Sequence, residues 1–212
     1  MNVKSRQQEN AEATREALLE SALSAFIEHG YGGVSIDAIA REARVTKGAF
    51  YHHFGSKQEL LAECYERQVR TIAEDLDRVP AHVDKWAEAA ALAEAFIDSV
   101  MARGKRQLSL QEVITVVGWE RWKRIDSRHT LRYVGRLVDE LAASGELKDY
   151  RRETLVGQLY GFLTQAAMSL RDARNKRQAA NEVKAIIRDF LYSLRRGDEN
   201  AAQHKRSKDA PV

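Results

Sequence analysis

Apolar residues recur along this chain at helical rather than strand spacing. Between Thr14 and His29, the residues Leu18, Leu19, Ala22, Ala25 and Phe26 form one stripe. Gly30 follows, where a glycine in the left-handed conformation ends a helix. Ser35 is a candidate N-cap for a helix over Ile36–Ala43, with Asp37 in the first turn complementing the helix dipole. Thr46 caps a short helix over Lys47–Phe54, which Gly55 ends. Ser56 and Glu59 form an S-x-x-E capping box opening a fourth helix, which runs toward Arg78 and stops before Pro80.

Beyond Pro80 the pattern predicts helices over Asp84–Arg103, Leu108–Val117, Ser127–Ala143, Tyr150–Ala173 and Gln178–Arg196. The last is the most regular, with Val183, Ile186, Ile187, Phe190, Leu191 and Leu194 on one face. Val113–Val117 is β-branched and strand-like in isolation, but it has no partner strand and is expected to be a buried helix. Residues 1–13 are expected to form a flexible arm and 198–212 a disordered tail.

Composition narrows the class. Only 2 of 212 residues are proline, against about ten at average usage. That scarcity suits long helices joined by short turns, so the fold class is all-α. No apolar run approaches the ~18 residues that span a bilayer, and no secretory signal opens the chain. The single cysteine, Cys64, excludes a disulfide framework and a C-x-x-C metal or redox site, and a cytoplasmic location is expected. The adjacent His52 and His53 point to different faces and lack ligand-spaced companions, so neither a metal nor a cofactor is expected.

The net charge of +3 is uninformative, but its distribution is not. Arg41, Arg44, Lys47 and Lys57 face only Glu42 between positions 41 and 57, whereas residues 1–40 are net acidic. The basic charge therefore concentrates on two short capped helices with helix-turn-helix proportions. Phe50 and Phe54, four apart, turn to the core with Ile36 and Ile39, leaving Lys47, Gly48, Tyr51 and His52 outward. Lysine can reach base edges or phosphate, glycine permits close approach, and the Thr46 hydroxyl can bind phosphate.

Phe26-x-x-x-Gly30-Tyr31, followed by Ile39-Ala40-x-x-Ala43-x-Val45-Thr46-Lys47-Gly48-x-x-Tyr51-x-His53-Phe54-x-x-Lys57-x-x-Leu60, closely resembles the DNA-binding domain of TetR-family transcriptional regulators. The resemblance covers roughly residues 14–61. It implies an N-terminal three-helix DNA-binding domain (1–56) and a larger helical domain (57–197) that dimerises and holds an effector pocket. By position, it puts Lys47, Gly48 and His52 in the groove and Ser35, Thr46, Tyr51, His53 and Lys57 on phosphates. Arg44 departs from the family's common turn glycine. A positive φ there would be strained, and either the turn is reshaped or Arg44 offsets the strain by reaching the DNA backbone.

Gly157 and Gly161, four apart on an apolar helix, allow close packing within a subunit or between two subunits. The family places its dimer bundle on the last two long helices, which favours the subunit contact and adds Ile187 and Phe190 to it. Trp86, Phe96, Met101, Trp119, Trp122, Tyr133 and Phe162 are ordinary core aromatics and methionine or, by the resemblance, walls of the pocket. The expected partners are an operator duplex, a small apolar or aromatic effector and a second copy of the chain. The expected function is a ligand-released repressor binding a palindromic operator. A helical scaffold without specific DNA binding and a helical enzyme are the rivals, and no HExxH, GxSxG, Walker or dinucleotide signature supports the enzyme.

Overall fold

The computed structural model describes residues 6–104 and 106–196. They form α1 (Arg6–His29), α2 (Ile36–Glu42), α3 (Lys47–His53), α4 (Lys57–Leu76), α5 (Lys85–Arg103), α6 (Leu110–Val117), α7 (Trp119–His129), α8 (Leu131–Ala143), α9 (Arg152–Asp172) and α10 (Lys176–Ser193). Among the described residues there is no strand, only an isolated antiparallel bridge between Leu147 and Arg195. The chain divides into two compact units: residues up to Ala73 with Arg103–Thr130, and Glu74–Ala102 with residues from Leu131 onward.

In the first unit, the expected stripe of α1 buries Leu18, Leu19, Ala22 and Phe26. They share the core with Val34, Ile39, Ala40, Phe50 and Phe54. Gly30 ends α1 at φ +69, its N–H donating to the Phe26 carbonyl at 3.0 Å. The helix begins at Arg6 rather than Thr14, so residues 6–13 are not a free arm, while residues 1–5 and the tail expected at 198–212 lie outside the described residues. No apolar residue other than alanine marks that first stretch, which is why the stripe alone started the helix late.

At the start of α4, Ser56 Oγ accepts from Glu59 N–H at 3.1 Å, while Glu59 Oε2 accepts from Gly55 N–H at 2.9 Å. The capping box is thus present, with its return bond one residue earlier than the usual pattern. Cys64 is fully buried on α4, and burial pushes its thiol up to about 12.

The β-branched run Val113–Val117 is helical and contributes Val113 and Val117 to the core. Gly118 then breaks α6 from α7 at φ +87 and ψ 147, a conformation natural to glycine. The whole of α7 before Ser127 goes beyond the sequence expectation. Its inward side carries Trp122, Ile125 and a buried Asp126. Trp122 Nε1 donates to Tyr65 Oη at 2.8 Å, and Tyr65 Oη donates to Asp126 Oδ1 at 2.7 Å. Thr130 Oγ1 donates to the other Asp126 oxygen at 2.5 Å. Such a chain satisfies the polar atoms that burial would otherwise leave costly.

The second unit packs Trp86, Ile97, Val138, Leu141, Leu155, Leu170, Ile187 and Leu191 into one core. Trp86 Nε1 donates to Glu146 Oε2 at 2.9 Å, and its ring stacks on Tyr192. Glu88 on α5 has only 3% of its side chain exposed, yet it is ion-paired to Lys85 at 2.9 Å and Arg136 at 3.2 Å and accepts from His82 N–H. Those partners hold its carboxyl below the usual range, Lys85 foremost.

Candidate nucleic-acid interface

Two serine/threonine caps build this site. Ser35 and Thr46 both have extended backbones and begin α2 and α3. Ser35 Oγ accepts from Ala38 N–H and Thr46 Oγ1 from Ala49 N–H, each at 3.1 Å. A capping hydroxyl uses a lone pair in this way and keeps its proton, which can be donated to a phosphate oxygen. Both residues are exposed, so one atom on each can start a helix and meet an anion.

Phe50 and Phe54 anchor α3 from below, with ring centroids 5.9 Å apart. That anchoring turns Lys47, Gly48, Tyr51 and His52 outward, and all four are exposed. A Cβ built on Gly48 would meet only Thr46 Oγ1, at 3.7 Å. The fold therefore does not require glycine there, and its effect is to leave a bare backbone at the surface. The Tyr51 ring packs edge-on against Phe50 at 5.2 Å. His53 is half-buried beside His52, and burial first, then the neighbouring imidazole, holds it below the usual histidine range.

Two cations are engaged by groups of the chain itself. Lys47 Nζ lies 3.0 Å from Asp37 Oδ2 of α2, and this hydrogen-bonded carboxylate raises the Lys47 pKa. Lys57 Nζ donates to the carbonyls of Tyr31 at 2.8 Å and Val34 at 2.7 Å. Arg44 has φ 57, so the left-handed turn is retained without glycine, and its exposed guanidinium makes no ion pair among the described residues. In the sequence Asp37 reads only as a partner of the helix dipole, and the structure adds its contact with Lys47. The missed signal is that Asp37 and Lys47 each lie in the first turn of adjoining helices of the motif.

Elsewhere the residues considered for a pocket divide between the units. Trp119 is 52% exposed and lies with Trp122 in the first unit, their rings 4.8 Å apart. Trp86, Phe96, Met101, Tyr133 and Phe162 belong to the second. Phe162 stacks on Phe190 at 5.6 Å, and the Tyr133 hydroxyl donates to Asp77. A side chain built on Gly157 or Gly161 would meet nothing within 4 Å, and both positions are exposed. Ile187 lies in its own unit's core at 3% exposure, whereas the adjacent Ile186 is 54% exposed.

Residues 18–64 match the family described as bacterial regulatory proteins, tetR family, and residues 86–194 match a tetracyclin repressor-like C-terminal domain. The chain is 33% identical over 195 residues to the transposon Tn10 TetC protein of Escherichia coli, covering 92% of this chain and 99% of that one. It is 28% identical to the HTH-type transcriptional regulator SrpR of Pseudomonas putida, over 87% of each chain. A crystal structure of a TetR-family transcriptional regulator from Pectobacterium atrosepticum superposes with a TM-score of 0.71 at 26% identity, covering 92% of this chain and 99% of that one.

Proposed function

The chain belongs to the TetR family of bacterial regulatory proteins, and on that premise we propose that it is a cytoplasmic, non-enzymatic repressor, released from its operator by a small apolar or aromatic effector. It acts as a homodimer on an approximately palindromic duplex. Residues 1–56 read DNA, and residues 57–197 dimerise and receive the effector. One observation carries the reading. Ser35, Thr46, Lys47, Gly48, Tyr51 and His52 are all exposed on the paired caps and outer side of α3, where the fold requires little of their outward groups.

Lys47, Gly48 and His52 would meet base edges, and Ser35, Arg44, Thr46, Tyr51 and His53 the backbone, with Lys57 holding the turn beneath them. Two such helices would engage successive major grooves about 34–36 Å apart. An effector that favours another spacing needs a coupling of only about 1–3 kcal/mol to release the operator. Within the second unit, Trp86, Phe96, Met101, Tyr133 and Phe162 support an apolar ligand. The three tryptophans of the chain supply a fluorescent reporter absent from residues 1–56.

The test is selection of bound fragments from random and genomic DNA, with and without candidate metabolites. A selected palindrome, released by a compound that also perturbs tryptophan emission, supports the proposal. Salt-independent binding, or no enrichment, overturns it.

A further inference from the structure

We propose that Asp37 is a specificity-determining residue for DNA binding, acting through Lys47: in the free protein its carboxylate occupies the ammonium that a phosphate would otherwise neutralise. The proposal rests on the reading of α3 as the recognition helix.

The geometry is that of a charge-assisted hydrogen bond, 3.0 Å from Lys47 Nζ to Asp37 Oδ2. A carboxylate oxygen and a phosphate oxygen are the same kind of acceptor for this cation. The pair joins the second residue of α2 to the first residue of α3, beside the two capping hydroxyls. Stability does not account for it. The side chains are 53% and 65% exposed, and exposed ion pairs contribute little to folding. Arg41 and Arg44, the neighbouring cations, make no ion pair among the described residues, so the one carboxylate is committed to the one lysine.

The consequence differs between wrong and right duplexes. Binding to arbitrary DNA is driven by release of counterions as each cation neutralises a phosphate. Lys47 enters that competition already holding an anion tethered at contact distance, and any phosphate approaching it also meets the Asp37 charge. In an operator complex, the ammonium can reach a base acceptor such as guanine O6 or N7 without leaving Asp37, because it has three donors and the carboxylate uses one. Asp37 therefore weakens non-operator binding more than operator binding, and discrimination is the difference of the two.

The experiment compares full-length wild type, Asp37→Asn, Asp37→Glu, Lys47→Ala and the Asp37→Asn/Lys47→Ala double variant. Each is titrated against a labelled random-sequence duplex and against a selected operator, across a salt series, after circular dichroism shows that it is folded. Asp37→Asn is expected to tighten the random duplex about threefold to tenfold and steepen its salt slope by about one. Operator affinity changes less, so the operator-to-random ratio falls, while Asp37→Glu stays near wild type. In the Lys47→Ala background, Asp37→Asn has a clearly smaller effect, because only the direct repulsion of the carboxylate remains to be removed.

Unchanged random-duplex affinity in Asp37→Asn overturns the proposal. So does a gain of equal size without Lys47, because the carboxylate would then act by its own repulsion alone. Failure of wild type to bind any duplex at low salt overturns the DNA-binding reading itself, and the role of Asp37 with it.

Discussion

The Lys57 ammonium lies 4.0 Å from the ring centroid of Tyr31 and donates to the carbonyl of that same residue at 2.8 Å. With its second bond, to Val34, it ties the start of α4 to the turn between α1 and α2. Lys57→Met removes both bonds and leaves two carbonyls without this donor. Urea unfolding should show a loss of about 2 kcal/mol. One N–H remains for a phosphate, so the salt slope of DNA binding should fall by no more than about one. An unshifted urea midpoint would mean that the observed bonds contribute nothing.

Arg44 offers the opposite combination. Replacing it with glycine relieves the positive φ and should stabilise the fold by about 1 kcal/mol, less the extra entropy of the unfolded glycine. Loss of the guanidinium should at the same time weaken binding to every duplex. Stabilisation with unchanged DNA affinity would assign the arginine no part in the interface.

Glu88 provides a pH signature. Its folded carboxyl titrates below the ordinary value of 4.5 because Lys85 and then its other partners favour the charged form. The unfolded chain therefore takes up the proton first on acidification, so the associated stability is present above pH 4.5 and declines as pH falls below it. Glu88→Gln should lose about 1–3 kcal/mol at pH 7. The gap from wild type should narrow in urea titrations as the pH is lowered progressively below 4.5.

The seam between subunits is probed at α9. A leucine at Gly157 or Gly161 has open space within its own chain, so the isolated subunit should tolerate it. If these positions face the partner, sedimentation should show dissociation at micromolar concentration and operator binding should weaken in parallel. Unaffected dimerisation in both variants would place the seam elsewhere.

Short-range signals carried most of the fold. Gly30, the Ser35 and Thr46 caps, and the Phe50–Phe54 pair all act within four residues of themselves, so spacing alone reveals them. Helix α7 was hidden because its buried face includes Asp126, whose partner Tyr65 lies 61 residues away. Ile186 and Ile187 share one wide apolar stripe, and only packing distinguishes the exposed residue from the buried one. At the interface, residue types marked the outward side of α3. The Lys57 bonds to Tyr31 and Val34 depend on tertiary proximity that no spacing encodes, whereas the Lys47–Asp37 pair is foreshadowed only by the place of each residue in the first turn of adjoining helices.

Cys64, the chain's single cysteine, is fully buried, and burial raises its thiol to about 12, so slow reaction with thiol-directed reagents at neutral pH is the expected outcome. The natural sequence is thus already a background for site-directed labelling, with no cysteine to remove first. A cysteine introduced at the exposed Arg41, on α2, would carry the only reactive probe on each chain. In a two-fold assembly, that one substitution places a matched pair of spin labels, and their mutual distance becomes a direct ruler for the separation of the two reading heads with and without a candidate effector.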